Sequence, residues 1–293
     1  MTATALIIGA QGQLGQELQA TAPVGLCVYA LGRAELDITD PAAVRRVFSE
    51  LHPDVVLNAA AYTAVDRAEG EEHLAFAINA EGPGHLAAAC ASAGSRLIHV
   101  STDFVFDGES GHPYLPAAEP NPLGAYGRSK LAGERAVHGA CPAAVVVRTG
   151  WVYSRFGSNF VKTMLRLMGE RERLSVVCDQ VGTPTWARGL ALALWGAVDR
   201  PLLQGIYHWS DAGVCSWYDF AVAIAEEALA LGLLQQAPII EPIPGTAYPT
   251  PAKRPACSVL DKHASWAALE RVPPHWREQL RVMLQALQEQ SHV

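Results

Sequence analysis

The sequence predicts an α/β protein in which a doubly wound parallel sheet is followed by a smaller C-terminal lobe. Short, almost wholly apolar segments alternate with helix-like segments through the first half of the chain. Strands that are apolar on both faces are typical of parallel sheets covered by helices on both sides. Beyond Trp151 the alternation becomes less regular. We therefore divide the chain into domains at 1–150 and 151–293, and expect some later segments to return to the sheet.

The individual elements follow from apolar segments, caps and composition. Buried strands are predicted at 4–8, 26–31, 54–58, 96–100 and 144–147. A helix is predicted to begin at Pro41, because Asp40 is a favoured N-cap and proline suits the first helical position. Further helices are predicted at 72–93, 159–172, 217–230 and 276–290, and proline-rich loops at 242–245 and 249–251.

The first predicted strand leads directly into three evenly spaced glycines, Gly9, Gly12 and Gly15. In a Rossmann-type dinucleotide site the first glycine permits a tight turn and the second lets backbone amides approach a pyrophosphate. The third allows the strand and the helix to pack closely, with the phosphates at the positive end of the helix. The segment therefore predicts a cofactor-binding turn in domain 1–150. The other residues of the turn that we assign to the cofactor are Gln11, Gln13 and Leu14.

Tyr126 and Lys130 lie four residues apart in a segment predicted to be helical. This spacing places the phenol and the ammonium on one helical face, where the lysine charge is expected to lower the tyrosine pKa. A phenol tuned in this way can exchange a proton with a substrate near neutral pH. The strand predicted at 96–100 ends at Ser101 and Thr102, so the Thr102 hydroxyl would lie at the carboxyl end of that strand. These three residues are the predicted catalytic groups.

The predicted motifs converge on one edge of the sheet. Ligands of doubly wound sheets bind at the carboxyl ends of the strands. Three predicted strands end at this edge, and the residues that follow them are Gly9, then Ala59, Ala60 and Ala61, and then Thr102. The sequence therefore predicts one site that both binds a dinucleotide and carries out proton chemistry.

Composition limits the classes of function. The chain has 293 residues, of which 50% are apolar, with 22 Lys and Arg against 29 Asp and Glu. A large core is therefore expected, and the absence of a cationic surface argues against nucleic acid as a partner. The apolar N-terminal segment is interrupted by Gly9 and Gln11, so neither a signal peptide nor a membrane span is predicted. Six scattered cysteines show no metal-ligand spacing, and we expect a cytoplasmic protein.

Further motifs at 58–66, 101–108, 148–153 and 248–255 accompany the glycine turn and the Tyr126 segment in a fixed order. Together they resemble the extended short-chain dehydrogenase/reductases, and within them the dTDP-4-dehydrorhamnose reductase family. The resemblance spans essentially the whole chain. It implies a substrate-binding role for the second lobe and reduction of the C4 ketone of dTDP-4-dehydro-6-deoxy-L-mannose to dTDP-L-rhamnose.

The resemblance also implies roles for single residues. The nicotinamide would deliver hydride while Tyr126 protonates the developing alkoxide, and Lys130 would hold the ribose hydroxyls. Thr102 would hydrogen-bond the same sugar oxygen. The positions that the resemblance assigns to the substrate are Thr63, Val65, Thr102, Asp103, Trp151, Asn159, Gln180 and Arg254. For Arg254 the chemistry agrees independently, because a guanidinium binds phosphate in a bidentate manner.

Some polar and aromatic residues in or near these motifs can also be explained by a role in the fold, without a role in binding or catalysis. Trp151 follows a strand and is equally compatible with a core position, and Asp103 with a cap on the following loop. Asp66 and Glu69 are interpreted as charges at the start of a helix. His99 lies within an apolar strand and is interpreted as a core histidine.

The end of the second predicted strand bears on cofactor choice. NAD enzymes usually place an acidic residue there to bind the ribose diol, whereas this chain has Gly32 and Arg33. A glycine does not repel a phosphate and an arginine can bind one. We therefore predict NADPH as the preferred cofactor, with NADH as the alternative. The resemblance places Asp37 and Ile38 near the adenine.

Two departures from the family pattern leave questions open. Cys257 stands where many relatives have asparagine. Some relatives dimerise through a metal bridged by acidic side chains, and Glu17 is one such position, but the segment around Arg188 lacks acidic partners. We predict no metal, and a monomer or a homodimer. Alternative functions are another nucleotide-sugar reductase or epimerase, or a non-catalytic dinucleotide-binding regulatory subunit.

Overall fold

The computed structural model describes residues 3–291, and its centre is a six-stranded parallel sheet. The parallel sheet confirms the predicted fold class. In the order in which they lie across the sheet, the strands are β10 (Gly205–His208), β5 (Val145–Thr149), β4 (Arg96–Thr102), β3 (Val55–Asn58), β1 (Thr4–Ile8) and β2 (Cys27–Leu31).

Helices cover both faces of this sheet. Helices α1 (Gln13–Ala20) and α8 (Ala187–Val198) pack on one face, and α2 (Pro41–Leu51), α5 (Gly82–Ala93) and α6 (Ala125–Ala140) pack on the other. Successive strand residues point to opposite faces, so Ile7 joins the first core and Leu6 the second. This double burial explains why the strands are apolar at nearly every position.

The order of the strands creates a crevice between β1 and β3. The chain runs from β1 outward to β2 at the edge of the sheet, and then returns across β1 to form β3. The connections on the two sides of this point diverge, which leaves an opening at the carboxyl ends of the strands. Gly9, Ala59 and the end of β4 at Thr102 therefore lie at one edge, as the sequence predicts.

The predicted helix at 72–93 is interrupted in its middle. After the short helix α3 (Val65–Ala68), the chain forms α4 (Glu72–Phe76), a π-helical turn (Ala77–Glu81) and then α5. Pro83, near the start of α5, has no N–H for a regular helical bond, and a local π turn accommodates such a residue. The turn directs the Asn79 amide to the backbone of Tyr62, 2.8 and 3.0 Å away, which anchors the segment beside the crevice.

The remaining elements form the second lobe, except that α8, β10 and α10 (His263–Leu269) pack with the sheet. A core that includes Phe220, Trp276 and Leu280 holds this lobe together. Its elements are β6 (Val152–Tyr153), α7 (Phe160–Glu170), β7 (Arg173–Val177), β8 (Val181–Gly182), β9 (Thr185–Trp186), β11 (Cys215–Ser216), α9 (Trp217–Ala230), β12 (Ile239–Ile243) and α11 (Trp276–Ser291).

The loop predicted at 242–245 is partly wrong, because Pro242 lies within strand β12. This strand pairs in parallel with β7 alone, in a two-stranded sheet. A strand with one open edge tolerates a residue that cannot donate a ladder hydrogen bond. The proline therefore marks an edge strand, and the loop begins only after Ile243.

The longest helices are α6 and α11, with 16 residues each. Both carry several charged side chains. Within residues 3–291, no helix has the length and apolar character needed to cross a bilayer.

Candidate active site

The turn between β1 and α1 is built to bring backbone amides close to a ligand. Gly9 has a φ of 82°, a conformation that favours glycine. A Cβ atom at Gly15 would lie 2.1 Å from the Gly9 carbonyl oxygen, so only glycine lets helix and turn approach this closely. Helix α1 begins without a side-chain cap at Gly12, and its first N–H groups are therefore available to an anion. Leu14 is buried in the core and Gln13 faces the second lobe.

A cavity of about 380 Å³ extends from this turn along the carboxyl ends of β2 and β3. It brings together most of the residues that the sequence assigns to the cofactor, together with Thr63. The lining residues are Ile8, Gly9, Gln11, Gly12, Gly32, Arg33, Leu36, Asp37, Ile38, Ala59, Ala60, Ala61, Tyr62, Thr63, Ala64 and Ile78. The glycine turn, the free helix terminus and the elongated cavity together fit a dinucleotide.

Charged side chains sit at the far end of this cavity. The Arg33 side chain is 73% exposed, and its Nε lies 3.8 Å from an oxygen of Asp37. Hydrogen bonds from Thr39 lower the pKa of Asp37, so this carboxylate is held ionised and turned toward its own loop. The Glu35 carboxylate accepts a hydrogen bond of 2.9 Å from the Gly32 N–H. One acidic side chain therefore stands beside the position where the sequence analysis found only Gly32 and Arg33.

The predicted catalytic phenol does not line this cavity; it lies beside Thr102 at the end of β4. Helix α6 begins at Ala125, whose N–H donates to Glu69 at 2.8 Å, and Tyr126 follows in its first turn. The Tyr126 ring is half-buried and meets Phe104 edge to face, with centroids 5.5 Å apart. Burial raises the Tyr126 pKa to about 12, while the neighbouring Thr102 hydroxyl lowers it. The phenol therefore keeps its proton at neutral pH, with Thr102 beside it.

Lys130 does not lower the Tyr126 pKa in this arrangement, and that prediction is wrong. The two residues share a face of α6, but the Lys130 ammonium points toward β4 and donates to the Val100 carbonyl at 2.7 Å. Lys130 is only 2% exposed, and burial lowers its pKa to about 8 against the opposing effect of Glu134. The helical spacing correctly placed Tyr126 and Lys130 on one face, but it could not predict which acceptor the Lys130 ammonium donates to.

Asp103 is buried at the centre of the site. It is 2% exposed, and burial raises its pKa to about 6, while hydrogen bonds from Ser258 and Thr102 oppose that rise. The Thr102 hydroxyl donates to Asp103 Oδ1 at 3.1 Å. At neutral pH the carboxylate thus orients the Thr102 hydroxyl, and its negative charge contributes to the high Tyr126 pKa.

Trp151 is held in a strained conformation at the entrance to the second lobe. It has a φ of 50°, which is costly for a bulky residue. Its indole stacks on Trp217, with ring centroids 3.5 Å apart, and lies against Gly182. The ring is half-buried. Trp217 was not assigned a role from the sequence, because no local pattern distinguishes it from a core tryptophan.

Asn159 joins the two lobes. Its Oδ1 accepts from the Lys162 N–H at 3.1 Å, which caps helix α7, and its Nδ2 donates to Gln13 at 2.9 Å and to the Ser154 carbonyl at 2.6 Å. Its amide is therefore engaged within the protein. Gln180 is half-buried and lies beside Gly245 in the loop after β12. Val65 begins helix α3.

Arg254 lies in a segment that crosses from the second lobe to helix α3. Its Nη1 and Nη2 donate to the two oxygens of Asp66 at 2.9 and 2.8 Å, and Nη1 also donates to the Ala252 carbonyl. The Arg254 side chain is 26% exposed. Among residues 3–291, none accepts a hydrogen bond from its Nε. Asp66, interpreted from the sequence as a helix-start charge, thus holds the guanidinium and leaves one edge of it open.

Comparison with known proteins agrees with these features. Residues 3–289 match the family model described as the RmlD substrate binding domain. The dTDP-4-dehydrorhamnose reductase of Mycobacterium tuberculosis (strain CDC 1551 / Oshkosh) is 46% identical over 288 residues, which cover 96% of this chain and 92% of that protein. The enzyme of the same name from Escherichia coli (strain K12) is 40% identical over 290 residues, covering 96% and 97%.

The chain belongs to the dTDP-4-dehydrorhamnose reductase family.

Solved structures of the dTDP-4-dehydrorhamnose reductase family have the same architecture. The Bacillus anthracis str. Ames enzyme, crystallised in complex with NADP, has a TM-score of 0.92 and 36% identity, covering 98% of this chain and 100% of that chain. The Clostridium acetobutylicum ATCC 824 protein has a TM-score of 0.92 and 41% identity, covering 97% and 99%. A UDP-glucose 4-epimerase from Thermus thermophilus, at 22% identity and a TM-score of 0.78, covers 97% and 99% and shares the fold alone.

Three residues near the site received no functional role from the sequence: Glu35, Asp66 and Trp217. Glu35 lies three residues after Gly32, a spacing that suits a turn, and this was the one available signal. Asp66 and Trp217 find their partners in distant segments, so no local pattern could reveal them. Within the described part of the chain, no group of three His, Cys, Asp or Glu side chains is placed to hold a metal ion.

Proposed function

We propose that this protein reduces the C4 ketone of dTDP-4-dehydro-6-deoxy-L-mannose to dTDP-L-rhamnose with NADPH as the reductant. The observation that carries the proposal is the protonated Tyr126 phenol beside Thr102, at the same edge of the sheet as the dinucleotide-shaped cavity. The family membership supports the reaction, since relatives at 40–46% identity bear the name of this reductase. The NADP bound to the Bacillus anthracis relative supports the cofactor.

The roles of the side chains follow from their protonation and position. When bound, NADPH supplies the hydride. Tyr126 holds its proton at neutral pH and donates it to the C4 oxygen as negative charge develops there. The Thr102 hydroxyl lies within reach of both Asp103 and Tyr126. Its single hydrogen, held by Asp103 while Tyr126 is protonated, would turn to Tyr126 and stabilise the phenolate as it forms. Lys130, the glycine turn and the loop at Ala59 to Ala61 would hold the cofactor.

We propose the corresponding division of labour between the lobes. Residues 1–150 bind NADPH, and residues 151–293 mainly bind the dTDP sugar, except that α8, β10 and α10 pack with the sheet. Trp151, stacked on Trp217, offers an aromatic face to the sugar. Asn159, whose amide is engaged by Gln13 and the start of α7, acts by keeping the two lobes in register rather than as a free ligand.

The decisive experiment follows NADPH absorbance with dTDP-4-dehydro-6-deoxy-L-mannose and identifies the product by NMR. We expect oxidation of NADPH and a rhamnose-configured product. A product with another configuration at C4 or C5 would favour a different nucleotide-sugar reductase or an epimerase. Tight NADPH binding without oxidation would overturn the proposal and favour a regulatory dinucleotide-binding subunit.

Cofactor choice is expected to depend on two opposing charges at the end of β2. Arg33 is exposed, and only its Nε lies near Asp37, so its terminal nitrogens can bind a 2′-phosphate, whereas the Glu35 carboxylate on the Gly32 N–H repels one. Arg33→Glu should lower the ratio of kcat/KM for NADPH over NADH at least about tenfold, equivalent to about 1.4 kcal/mol. Glu35→Gln should raise the same ratio. An unchanged ratio in both variants would show that neither side chain faces the ribose.

The open edge of Arg254 is expected to bind the diphosphate of the substrate. Asp66 occupies the Nη1 and Nη2 end of the guanidinium, so Nε remains for a phosphate oxygen. Arg254→Lys should raise KM for the dTDP sugar about tenfold, because a lysine cannot satisfy both partners at once. Asp66→Asn should raise KM less, since one amide oxygen still accepts.

Arg67→Lys is the matched control for this prediction, since Arg67 is 69% exposed and pairs with Glu71, the residue before helix α4. It should leave KM unchanged. An Arg254→Lys variant with normal KM and reduced thermal stability would contradict the prediction and assign Arg254 a structural role only.

A further inference from the structure

Lys130 contacts a buried polar pair that the proposed reaction does not use. The parallel register of β3 and β4 places Asn58 beside His99, and both side chains face helix α6. Asn58 is 1% exposed, His99 0% and Lys130 2%. His99 Nε2 lies 3.5 Å from Lys130 Nζ, and His99 Nδ1 lies 3.0 Å from Asn58 Nδ2. An imidazole interpreted from the sequence as a core residue thus joins the cofactor loop to the site lysine.

The hydrogen-bond network assigns the tautomer of this imidazole. The Ala60 N–H can only donate, and it donates to Asn58 Oδ1 at 3.1 Å. The Asn58 amide nitrogen must therefore face His99, and it donates to Nδ1. A neutral imidazole that accepts at Nδ1 carries its hydrogen on Nε2. Burial and the Lys130 charge both lower the His99 pKa, which keeps the ring neutral.

The Nε2–H of His99 consequently points at the Lys130 amine. An N–H dipole directed at an ammonium disfavours the charged form, whereas a neutral amine accepts that hydrogen in its lone pair. We propose that Asn58 and His99 are positioning residues that tune Lys130: Asn58 fixes the imidazole with its Nε2–H toward the amine and so opposes protonation of Lys130. The role of Lys130 in catalysis rests on the proposed function, whereas the His99 tautomer rests on the hydrogen bonds alone.

The other charges around Lys130 do not produce the same effect. On its own helix, Tyr126 is neutral, and Glu134 favours the ammonium. The Glu134 carboxylate is itself paired with Arg148 of β5 at 2.7 and 2.9 Å, which offsets much of its charge. His138, further along α6, acts electrostatically on His99. Of the groups that face Lys130 from the sheet, His99 is the one whose hydrogen can move from one ring nitrogen to the other when its neighbour Asn58 is changed.

The pH dependence of cofactor binding and turnover tests the proposal. The Lys130 pKa is lowered to about 8, so its ammonium is lost as pH rises through that value. We expect Kd for NADPH to rise and kcat/KM to fall along this basic limb. In Asn58→Asp the new carboxylate accepts a hydrogen from His99 Nδ1, which leaves Nε2 without a hydrogen on the side of Lys130. The basic limb of both pH profiles should therefore move upward by about one pH unit.

Asn58→Leu separates the effect of the His99 tautomer from that of the negative charge that Asn58→Asp introduces. Without the amide, His99 is free to carry its hydrogen on Nδ1 and accept from the ammonium, so the limb should move upward by a smaller amount. His138→Gln is the control, because the Asn58 contact remains and the limb should stay in place. The tautomer is read independently by ¹⁵N NMR of the imidazoles, with His99→Gln for assignment. The wild type should carry hydrogen on Nε2, and Asn58→Asp on Nδ1.

An Nδ1–H tautomer in the wild type would overturn the proposal. So would a tautomer that changes in both Asn58 variants while the basic limb of NADPH binding stays fixed. If the wild type binds NADPH but oxidises none with the dTDP sugar, the proposed function fails, whereas the NMR and the pH dependence of Kd still decide the role of His99.

Discussion

Replacing Tyr126 with phenylalanine is expected to lower kcat about a hundredfold to ten-thousandfold, the range typical for loss of a general acid. Burial raises the phenol pKa to about 12, so the residue still carries its proton well above neutral pH. Phenylalanine keeps the edge-to-face contact with Phe104, 5.5 Å between centroids. NADPH binding should therefore be unchanged, and stopped-flow measurement of NADPH oxidation should isolate the loss in the chemical step.

Tyr153→Phe is the matched control for the loss of a phenol. Tyr153 is 1% exposed in the core of the second lobe, and its hydroxyl finds no partner among residues 3–291. Its removal should leave kcat unchanged and should not destabilise the protein, because a buried unpaired hydroxyl contributes nothing favourable. If Tyr126→Phe kept a wild-type kcat, another group would have to supply the proton, and the proposed mechanism would be wrong.

The basic limb of the pH profile should not arise from Tyr126. A phenol with a pKa of about 12 is still protonated where Lys130, with a pKa of about 8, has already lost its charge. In the proposed mechanism both groups act in their protonated forms, so activity is expected to fall first through Lys130. The upper limit of the working range is then expected to depend on the burial of Lys130 and, under the proposal above, on Asn58 and His99.

The parts of this site that were predictable share one property: they depend on neighbours in sequence or on a regular period. The turn at Gly9 and Gly15 follows directly from a strand, and Thr102 lies where a strand must end. Spacing placed Tyr126 and Lys130 on one face. The direction of the Lys130 ammonium was not predictable, since its acceptor, the Val100 carbonyl, belongs to another element.

The same limit explains the missed and incorrect assignments. Asp66 and Trp217 acquire their roles from Arg254 and Trp151, which are far away in sequence. Pro242 suggested a loop because local propensity cannot tell an edge strand from a turn. The sequence pattern therefore predicts the sheet and the residues that lie at its edge, whereas the partners of these residues become visible only in the tertiary contacts.

The largest expected effect on stability comes from the buried pair of Arg148 and Glu134. Their side chains are 2% and 3% exposed, with 2.7 Å between Nη2 and Oε2. The Ser101 hydroxyl also donates to Glu134 at 2.5 Å. Arg148→Met leaves a buried carboxylate without its countercharge, and we expect it to lower the free energy of unfolding by about 3–5 kcal/mol. Urea denaturation followed by circular dichroism measures this change.

A double variant separates the cost of an orphaned charge from the value of the pair. Arg148→Met with Glu134→Met removes both charges, and it should recover most of the lost free energy, because the desolvation of each ion disappears with it. Arg166→Met is the surface control: Arg166 pairs with Glu170 at 2.7 Å, but the two side chains are 61% and 52% exposed. Its effect should stay within about 0.5 kcal/mol. If the double variant were as unstable as Arg148→Met, the pair would stabilise the fold beyond its own desolvation. Because Glu134 also acts electrostatically on Lys130, the Arg148–Glu134 pair would then support the active site as well as the core.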